Sequence, residues 1–327
     1  MNNPIRELFR KRDGVYAIQL FANDSLTLDG FDESHLLFRM QINGLWKPKP
    51  VLFRADPFLF VKGKELYLFY ELQRGFAPAQ LVMIKTQDLK SWTEPVVVLK
   101  EPFHLSFPYV FEDNGEIYMI PESEANNSIR LYKANSDLTS FIFVRTLLSQ
   151  EKDAGMNCNY VDSHIYKKDG MYYLFTSFMK DWKMMQELYL TDNLFDGVFQ
   201  RHPSSPICIS HEYGRNGGSL MDYNGKLLRV SQDCHKDYGE NVSLHEIVKI
   251  DIDQYEETLF SHNLYSSNSL FPDGGHQLNV VYFNGKYVYA TDYKENHWTW
   301  YHIFNSIKKI VNKSFYRCKT GGLCRSC

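Results

Sequence analysis

The sequence lacks a long hydrophobic run and a strong excess of charge. No segment approaches the roughly 20 apolar residues that a membrane-spanning helix requires, and residues 1–12 contain no apolar stretch of the kind found in secretory signal peptides. A net charge of -3 over 327 residues gives no electrostatic basis for binding nucleic acid. These absences predict a cytoplasmic protein, with a peripheral membrane location as the alternative.

Cysteines and signature motifs are also scarce. The six cysteines, at 158, 208, 234, 318, 324 and 327, are too sparse and irregular for a disulfide framework, which favours a reducing compartment. The sequence contains no P-loop, dinucleotide-binding fingerprint, HExxH motif or nucleophile elbow. We therefore predict neither a cofactor nor a metal site.

What the sequence does contain is a pattern that occurs five times. Each copy opens with a polar or small residue, continues as an apolar run, turns at a glycine and continues as a second β-rich run. The first copy opens at Arg54, turns at Gly63 and ends at Glu71. Successive copies start 52, 54, 55 and 59 residues apart when the anchors are Asp56, Pro108, Asp162, Gly217 and His276.

A period of this size predicts repeated β-sheet units. Asn-Gly or Asp-Gly turns join the β-rich runs in most copies, and each copy is too small to bury a core alone, so the copies must pack around an axis. The sequence therefore predicts an all-β fold: a five-bladed β-propeller over residues 1–302, with the anchors around a central cavity. A strand near 15–20 has no anchor before it, and we expect it to complete the last blade.

Residues 303–327 differ from the rest of the chain. Apolar residues recur at helical spacing, and the last 25 residues carry a charge of +6. We expect a short helical tail that packs on the outside of the propeller. The alternative is a basic amphipathic helix that lies on an anionic membrane or contacts a partner such as a glycosyltransferase. Its three cysteines lack a clear fourth zinc ligand.

Acidic residues at the anchors and strand ends are candidates for catalysis. Making or breaking a glycosidic bond requires one protonated and one ionised carboxyl group, and crowding several acids raises the pKa of one of them. Asp56 and Asp162 occupy equivalent anchor positions, whereas Glu122 and Asp233 end the second run of their copies. These four form the predicted catalytic set. Glu71 and Asp292 also end second runs, and we interpret them as turn carboxylates or backbone caps.

Several polar and aromatic residues near the anchors are candidates for binding substrate. Arg215 either clamps a phosphate or carboxylate, or forms an ion pair that holds Asp162 or Asp233. His276 either contacts a sugar hydroxyl or lies in the core, and tyrosines such as Tyr238 can stack on sugar faces. The predicted substrate-binding residues are Arg215, His276, Ser106, Tyr109, Gln232 and Tyr238.

Several of these segments resemble known families. Ala55-Asp56-Pro57, Val161-Asp162 and Gly275-His276 are similar to the blade openings of arabinanase- and xylosidase-type glycoside hydrolases, which are five-bladed propellers. A second group is closer over about residues 45–300: the N-terminal domain of glucosamine inositolphosphorylceramide transferase and its stand-alone bacterial relatives. The segments that resemble this family are His104–Phe111, Tyr118–Ser123, Arg229–Cys234 and Tyr238-Gly239.

The resemblance to the hydrolases implies roles for two residues. Asp56 matches their general base, and Asp162 matches the aspartate that orients substrate and tunes the pKa of the acid. Their acid is a glutamate that opens blade four, but that place holds Arg215–Gly218 here, so Glu122 or Asp233 would have to replace it. The transferase resemblance implies carbohydrate chemistry, while that family's recognised transferase domain is not in this sequence.

We therefore expect a carbohydrate-active protein that makes or breaks a glycosidic bond on a glycan or sugar-phosphate substrate. The arginine in place of the hydrolase acid favours glycosyl transfer, in surface-glycan or polysaccharide assembly, over hydrolysis. One alternative is a non-catalytic glycan-binding or scaffold propeller that serves a separate glycosyltransferase. The other alternative is a glycoside hydrolase.

Overall fold

The repeated copies fold into antiparallel strands joined by tight turns. The computed structural model describes residues 12–47, 49–149, 160–180, 183–299 and 304, and nearly all of the regular structure in them is β-strand. One 3-10 helix, Glu124–Asn126, also lies in these ranges. The tail predicted at 303–327 lies outside the described residues apart from Phe304, so its helix stays a prediction.

The strands follow the copies of the repeat, which we call units one to five. Two strands precede unit one: β1 (Asp13–Asn23) and β2 (Leu36–Arg39). Unit one contains β3 (Val51–Lys62), β4 (Glu65–Arg74), β5 (Gln80–Thr86) and β6 (Val96–Leu99). Unit two contains β7 (Ser106–Asp113), β8 (Glu116–Glu122), β9 (Ser128–Ala134) and β10 (Phe141–Ser149).

The remaining units are less regular. Unit three contains β11 (Tyr160–Lys168), β12 (Met171–Lys180), β13 (Lys183–Thr191), β14 (Gln200–Arg201) and β15 (Cys208–Ile209). Unit four contains β16 (Arg215–Asn216), β17 (Met221–Tyr223), β18 (Lys226–Asp233), β19 (Asn241–Ile250) and β20 (Tyr255–Ser261). Unit five contains β21 (Leu278–Phe283) and β22 (Lys286–His297).

The described strands form four hydrogen-bonded sheets. Units two, three and four are one sheet each, in the orders β10-β9-β8-β7, β11-β12-β13-β14 and β16-β18-β19-β20. The fourth sheet combines units five and one in the order β21-β22-β1-β3-β4-β5-β6. Its two parts meet where Tyr16 of β1 pairs in parallel with Phe53 of β3. Strand β1 pairs with β22 from Asp13 to Asn23, so the start of the described chain extends the last unit.

Apolar cores lie between neighbouring units. Because each unit packs against a neighbour on both faces, a central strand such as β4 is buried over seven successive residues instead of alternating. Five buried apolar clusters occur in the described chain, and each is shared by two units. Phe69 and Met119 belong to the cluster between units one and two, and Leu20 and Leu68 belong to the cluster between units five and one. The contacts between units therefore return to the first unit.

Glycines occur where two units approach each other closely. A Cβ atom on Gly217 would lie 2.8 Å from the carbonyl oxygen of His276, so this link between units four and five requires a glycine. Gly217 also accepts a hydrogen bond from the backbone N–H of Leu278 at 2.8 Å. Among the described residues, no helix has the length and apolar composition needed to span a membrane.

Candidate active site at the inner strand ends

The inner strands of units one, two and three share a strained residue at the same place. Asp56, Phe107 and Asp162 have φ angles of 51°, 45° and 50°, in the left-handed region. In each case a register shift against the next strand includes this residue. The structure thus confirms the equivalence of Asp56 and Asp162. It corrects the anchor of unit two, because Phe107, and not Pro108, is the equivalent residue.

The backbone N–H groups at these bulges donate to a side chain of the preceding unit. The N–H of Asp56 donates to Oδ2 of Asp292 at 3.2 Å, and the N–H of Phe107 donates to Oδ2 of Asp56 at 3.0 Å. The N–H of Asp162 donates to Oε2 of Glu122 at 3.2 Å. In the next unit the N–H of Asn216 donates to Oγ of Ser177 at 2.8 Å. This series of hydrogen bonds brings carboxylates of different units to the same end of the inner strands.

The first half of the site is built on Asp162. Its Oδ2 accepts hydrogen bonds from Nε of Arg215 at 2.6 Å and from Nε2 of Gln232 at 3.1 Å. A second guanidinium nitrogen of Arg215 lies 3.6 Å from Oε2 of Glu122. The side chain of Asp162 is 3% exposed and that of Arg215 is 14% exposed. Of the two alternatives for Arg215, the structure therefore favours the ion pair with Asp162 over a free anion clamp.

The environment of Glu122 favours its protonated form. Burial, and then the negative charge of Asp162, raise the pKa of Glu122 well above its usual value although Arg215 acts in the opposite direction. A carboxyl group that stays protonated at neutral pH can act as a general acid. The pKa of Glu122 is therefore shifted in the direction that a general acid requires.

The second half of the site is built on Asp56 and His276. Nε2 of His276 lies 3.4 Å from Oδ1 of Asp56, and Nδ1 lies 2.6 Å from Oδ2 of Asp292. Burial raises the pKa of Asp56 to about 7, and the nearby carboxylates Glu71, Asp162 and Asp292 add to this against the effect of His276. Burial acts to lower the pKa of His276, but the carboxylates around it, Asp292 first and then Asp56 and Asp162, together raise that pKa to about 9.

The ligand atoms of Asp56, His276 and Asp292 lie within 4.8 Å of one another, as metal ligands do. The existing contacts nevertheless use these atoms, because Asp292 accepts the backbone N–H groups of Asp56, His276 and Gln277 and lies against Nδ1 of His276. A protonated imidazole between the two carboxylates offsets one of their two negative charges.

The structure does not bring all of the predicted residues together. Because a strand alternates faces, the side chain of Asp233 points to the face opposite that of Gln232, which contacts Asp162. Oδ1 of Asp233 accepts the backbone N–H of His235 at 2.7 Å. Burial raises the pKa of Asp233, and the charges that affect it most are those of His235, Glu240 and Glu212 and not those of Asp56 or Asp162.

Two predicted substrate-binding residues have structural partners. Tyr109 donates to the carbonyl oxygen of Ile165 at 2.7 Å and stacks on Phe111 at 5.3 Å, so it joins units two and three. Ser106 is 6% exposed and pairs with Glu122 across the strands, which places it beside the site. Tyr238 lies beside both halves of the candidate site, since the guanidinium of Arg215 lies 5.0 Å from its ring centroid and the ring of His276 lies 5.2 Å from it.

The interpretation of Asp292 as a backbone cap is confirmed, but sequence reasoning missed that Asp292 and Glu71 are both buried near Asp56. Asp292 is fully buried and caps three backbone N–H groups, as described above, so it is a backbone cap but not an exposed turn residue. Glu71 is 4% exposed, and Nε2 of His104 lies 3.2 Å from its Oε1. Both residues lie on the second strand of their units, as Glu122 does. The repeat itself was therefore the signal that should have placed them near Asp56.

Buried charge elsewhere has a structural role. Arg229, which also lies on an inner strand of unit four, is fully buried and forms two hydrogen bonds to Glu257, at 2.7 and 2.6 Å. It also donates to the carbonyl oxygen of Tyr213 at 3.0 Å. This arginine therefore belongs to the framework of the unit, in contrast to Arg215.

Comparison with known proteins agrees with the predicted resemblance. Residues 46–286 match the family described as "Glucosamine inositolphosphorylceramide transferase 1, N-terminal". The chain is 30% identical over 270 residues to glucosamine inositolphosphorylceramide transferase 1 of Arabidopsis thaliana, which covers 80% of this chain and 32% of the relative. It is 31% identical over 215 residues to the protein of that name from Oryza sativa subsp. indica, covering 64% and 28%. The chain thus spans about a third of the length of these relatives.

Solved structures show the fold. Zg3597, a family 117 glycoside hydrolase from Zobellia galactanivorans, superposes with a TM-score of 0.53 at 14% identity, over 85% of this chain and 90% of that one. A variant of the GH32 β-fructofuranosidase BmSUC1 of Bombyx mori, in complex with sucrose, gives a TM-score of 0.53 at 16% identity, over 76% and 57%. These likenesses confirm a nearly all-β fold of the kind found in propeller glycoside hydrolases.

Proposed function

This chain belongs to the glucosamine inositolphosphorylceramide transferase 1 N-terminal family, and on that premise we propose that it is a carbohydrate-active protein that forms a glycosidic bond during glycan assembly. One observation carries the proposal. Carboxyl groups from different units, Asp56, Glu122 and Asp162, converge with Arg215 and His276 at one end of the inner strands. Glycosidic chemistry requires such a set of acids with unequal pKa values.

The complete fold in this proposal is a five-bladed β-propeller. The repeat supplies five units, and the apolar clusters between them return from unit five to unit one. Pairing of β1 with β22 supports closure, since the first strand then completes the last blade and removes a sheet edge. In this arrangement the bulges of the inner strands surround a common axis, which accounts for the convergence of the acids.

The proposed roles follow from the pKa values. Asp56, with a pKa of about 7, is ionised in part at neutral pH and takes a proton from the attacking hydroxyl group. Glu122, with its raised pKa, gives a proton to the oxygen of the leaving group. Asp162 is held by Arg215 and raises the pKa of Glu122, so it is a positioning residue. We propose transfer and not hydrolysis because the family that this chain matches, and the relatives it resembles, are named as transferases.

The experiment compares glycan product made by the wild-type protein with that made by Asp56→Asn and Asp162→Asn, in source cells from which the gene has been deleted. Asp222→Asn is the matched control, because Asp222 is an exposed residue of β17 whose Oδ1 accepts the N–H of Gly225. The proposal expects loss of product in the two site variants and normal product in the control. Full product in both site variants would contradict it.

The second candidate function is a non-catalytic glycan-binding module that serves a separate glycosyltransferase. Two observations favour it: the ion pair between Arg215 and Asp162, and the length of the relatives, of which this chain spans about a third. A binding module predicts that glycan affinity survives Asp56→Asn and that the purified wild-type chain produces no turnover. Turnover by the purified chain would exclude this candidate.

A further inference from the structure

A cavity of about 640 Å³ lies beside the carboxylate cluster, where units five and one meet. Its volume falls in the range of ligand pockets, roughly 300–1,000 Å³. Tyr16, Leu52, Phe53 and Tyr238 supply its apolar wall, and Tyr16 stacks on Phe53 with centroids 5.3 Å apart. None of the candidate catalytic acids lines this cavity, so it is a separate space.

Tyr238 lies between the cavity and the carboxylate cluster. It lines the cavity, and the guanidinium of Arg215 lies 5.0 Å from the centroid of its ring. The residue is 40% exposed, so part of the ring stays available to a ligand. A molecule that stacks on Tyr238 therefore comes next to the Arg215–Asp162 ion pair.

The position of this wall is fixed by two buried donors. The hydroxyl of Tyr16 donates to the carbonyl oxygen of Tyr238 at 2.9 Å, and Nζ of Lys294 donates to the same oxygen at 2.7 Å. Lys294 is 2% exposed and also donates to Oδ2 of Asp237 at 3.0 Å. Gly239, with a φ of 65°, permits the turn, and a Cβ atom there would lie 2.6 Å from the hydroxyl of Tyr16. The cavity is thus preformed, which lowers the entropic cost of binding.

The polar lining determines the class of ligand. It contains three carboxylates, from Asp13, Asp237 and Asp273, and two cations, from Arg12 and Lys294, so its formal charge is −1. A phosphate ester would meet this excess of carboxylate, which disfavours it. A saccharide offers hydroxyl groups to the carboxylates and to the amide of Asn296, and the apolar face of its ring to Tyr238.

We propose that this cavity is a subsite for an uncharged saccharide unit, which binds against Tyr238 next to the carboxylate cluster. The choice of a saccharide as the ligand rests on the proposed function, because the cavity would bind one part of the same glycan substrate. The sequence analysis left two substrate classes open, a glycan and a sugar phosphate. The proposal assigns the uncharged glycan, and not the sugar phosphate, to this subsite.

The test applies the purified wild-type chain to a glycan array that carries neutral oligosaccharides and their phosphorylated counterparts. The neutral oligosaccharide with the strongest signal is then titrated by calorimetry into wild-type protein and variants. Tyr238→Leu, which keeps an apolar side chain but loses the flat ring, should weaken binding by roughly tenfold, while Tyr238→Phe should stay within about twofold. Asn296→Ala should weaken binding by roughly fivefold. This variant provides the test if Tyr238→Leu does not fold.

Three results would overturn the inference: no neutral oligosaccharide binds, the phosphorylated counterpart binds more tightly, or folded Tyr238→Leu and Asn296→Ala bind as wild type does. Asp162→Asn separates this proposal from the proposed function. It should retain neutral-glycan affinity within about threefold while product formation is lost. If the Tyr238 series behaves as expected but Asp162→Asn retains full product formation, the subsite stands and the catalytic assignment fails.

Discussion

The backbone N–H of Phe107 donates a hydrogen bond to Oδ2 of Asp56 at 3.0 Å, so a carboxylate of unit one holds the opening residue of unit two. Asp292 and Glu122 make equivalent contacts to the N–H groups of Asp56 and Asp162. The acids proposed for catalysis therefore also join the units. Variants of these acids should therefore be compared only when they are equally folded. Asparagine is the appropriate replacement for an aspartate, because it keeps an oxygen that accepts the backbone hydrogen bond.

The left-handed backbone at Asp56 predicts which substitutions the fold accepts. Asparagine tolerates a φ of 51°, whereas a β-branched residue is strained there. We expect Asp56→Val to be less stable than Asp56→Asn by about 2–3 kcal/mol, from the strain and from the lost acceptor for Phe107. Urea denaturation of the two variants measures the difference. Equal free energies of unfolding would show that the bulge does not constrain the residue.

The ion pair of Arg215 with Asp162 predicts a large loss of stability when one partner is removed. Arg215→Met leaves the Asp162 carboxylate buried without its cation and should lower the free energy of unfolding by about 3–5 kcal/mol. Adding Asp162→Asn should restore part of this loss, because the unpaired charge is then gone. Lys226→Met is the control, since its pair with Glu246 is largely exposed and should contribute less than about 1 kcal/mol. A similar loss in both methionine variants would contradict the assignment.

The raised pKa of His276 predicts that stability depends on pH. Its pKa is raised to about 9 in the folded protein, so its contribution is complete below the unfolded value of about 6.5 and is lost as pH rises through 9. The wild-type protein should therefore lose on the order of 2 kcal/mol of stability from this group between pH 6.5 and pH 9. His276→Gln should show a flatter profile in thermal unfolding. An unchanged slope in that variant would mean that the imidazole is not charged in the folded state.

The raised pKa of Asp56 predicts the acid limb of the pH–rate profile. Its pKa of about 7 means that the base form grows as pH rises through neutrality, so kcat/KM should increase with an apparent pKa near that value. The same raised pKa has the opposite effect on stability. The folded protein holds the proton of Asp56 more tightly than the unfolded chain does, so the free energy of unfolding should fall as pH rises from about 4 to about 7. A rate that is flat from pH 5 to pH 8 would remove Asp56 from the role of base.

The sequence predicted the units well because their period, turns and apolar runs are local features. It also placed Asp56 and Asp162 at equivalent positions, as their shared bulge confirms. It placed both Gln232 and Asp233 in the site, although adjacent strand residues point to opposite faces and it is Gln232 that donates to Asp162. Arg215 was ambiguous, because its partner Asp162 lies 53 positions away and only packing brings the two together.

The most direct test of the central claim is a crystal structure of Asp56→Asn with an intact glycan substrate. The glycosidic oxygen should lie within hydrogen-bonding distance of the Glu122 carboxyl group, and a substrate hydroxyl should contact residue 56. A glycan that binds elsewhere, with the Asp162–Arg215 pair and Glu122 untouched, would contradict it.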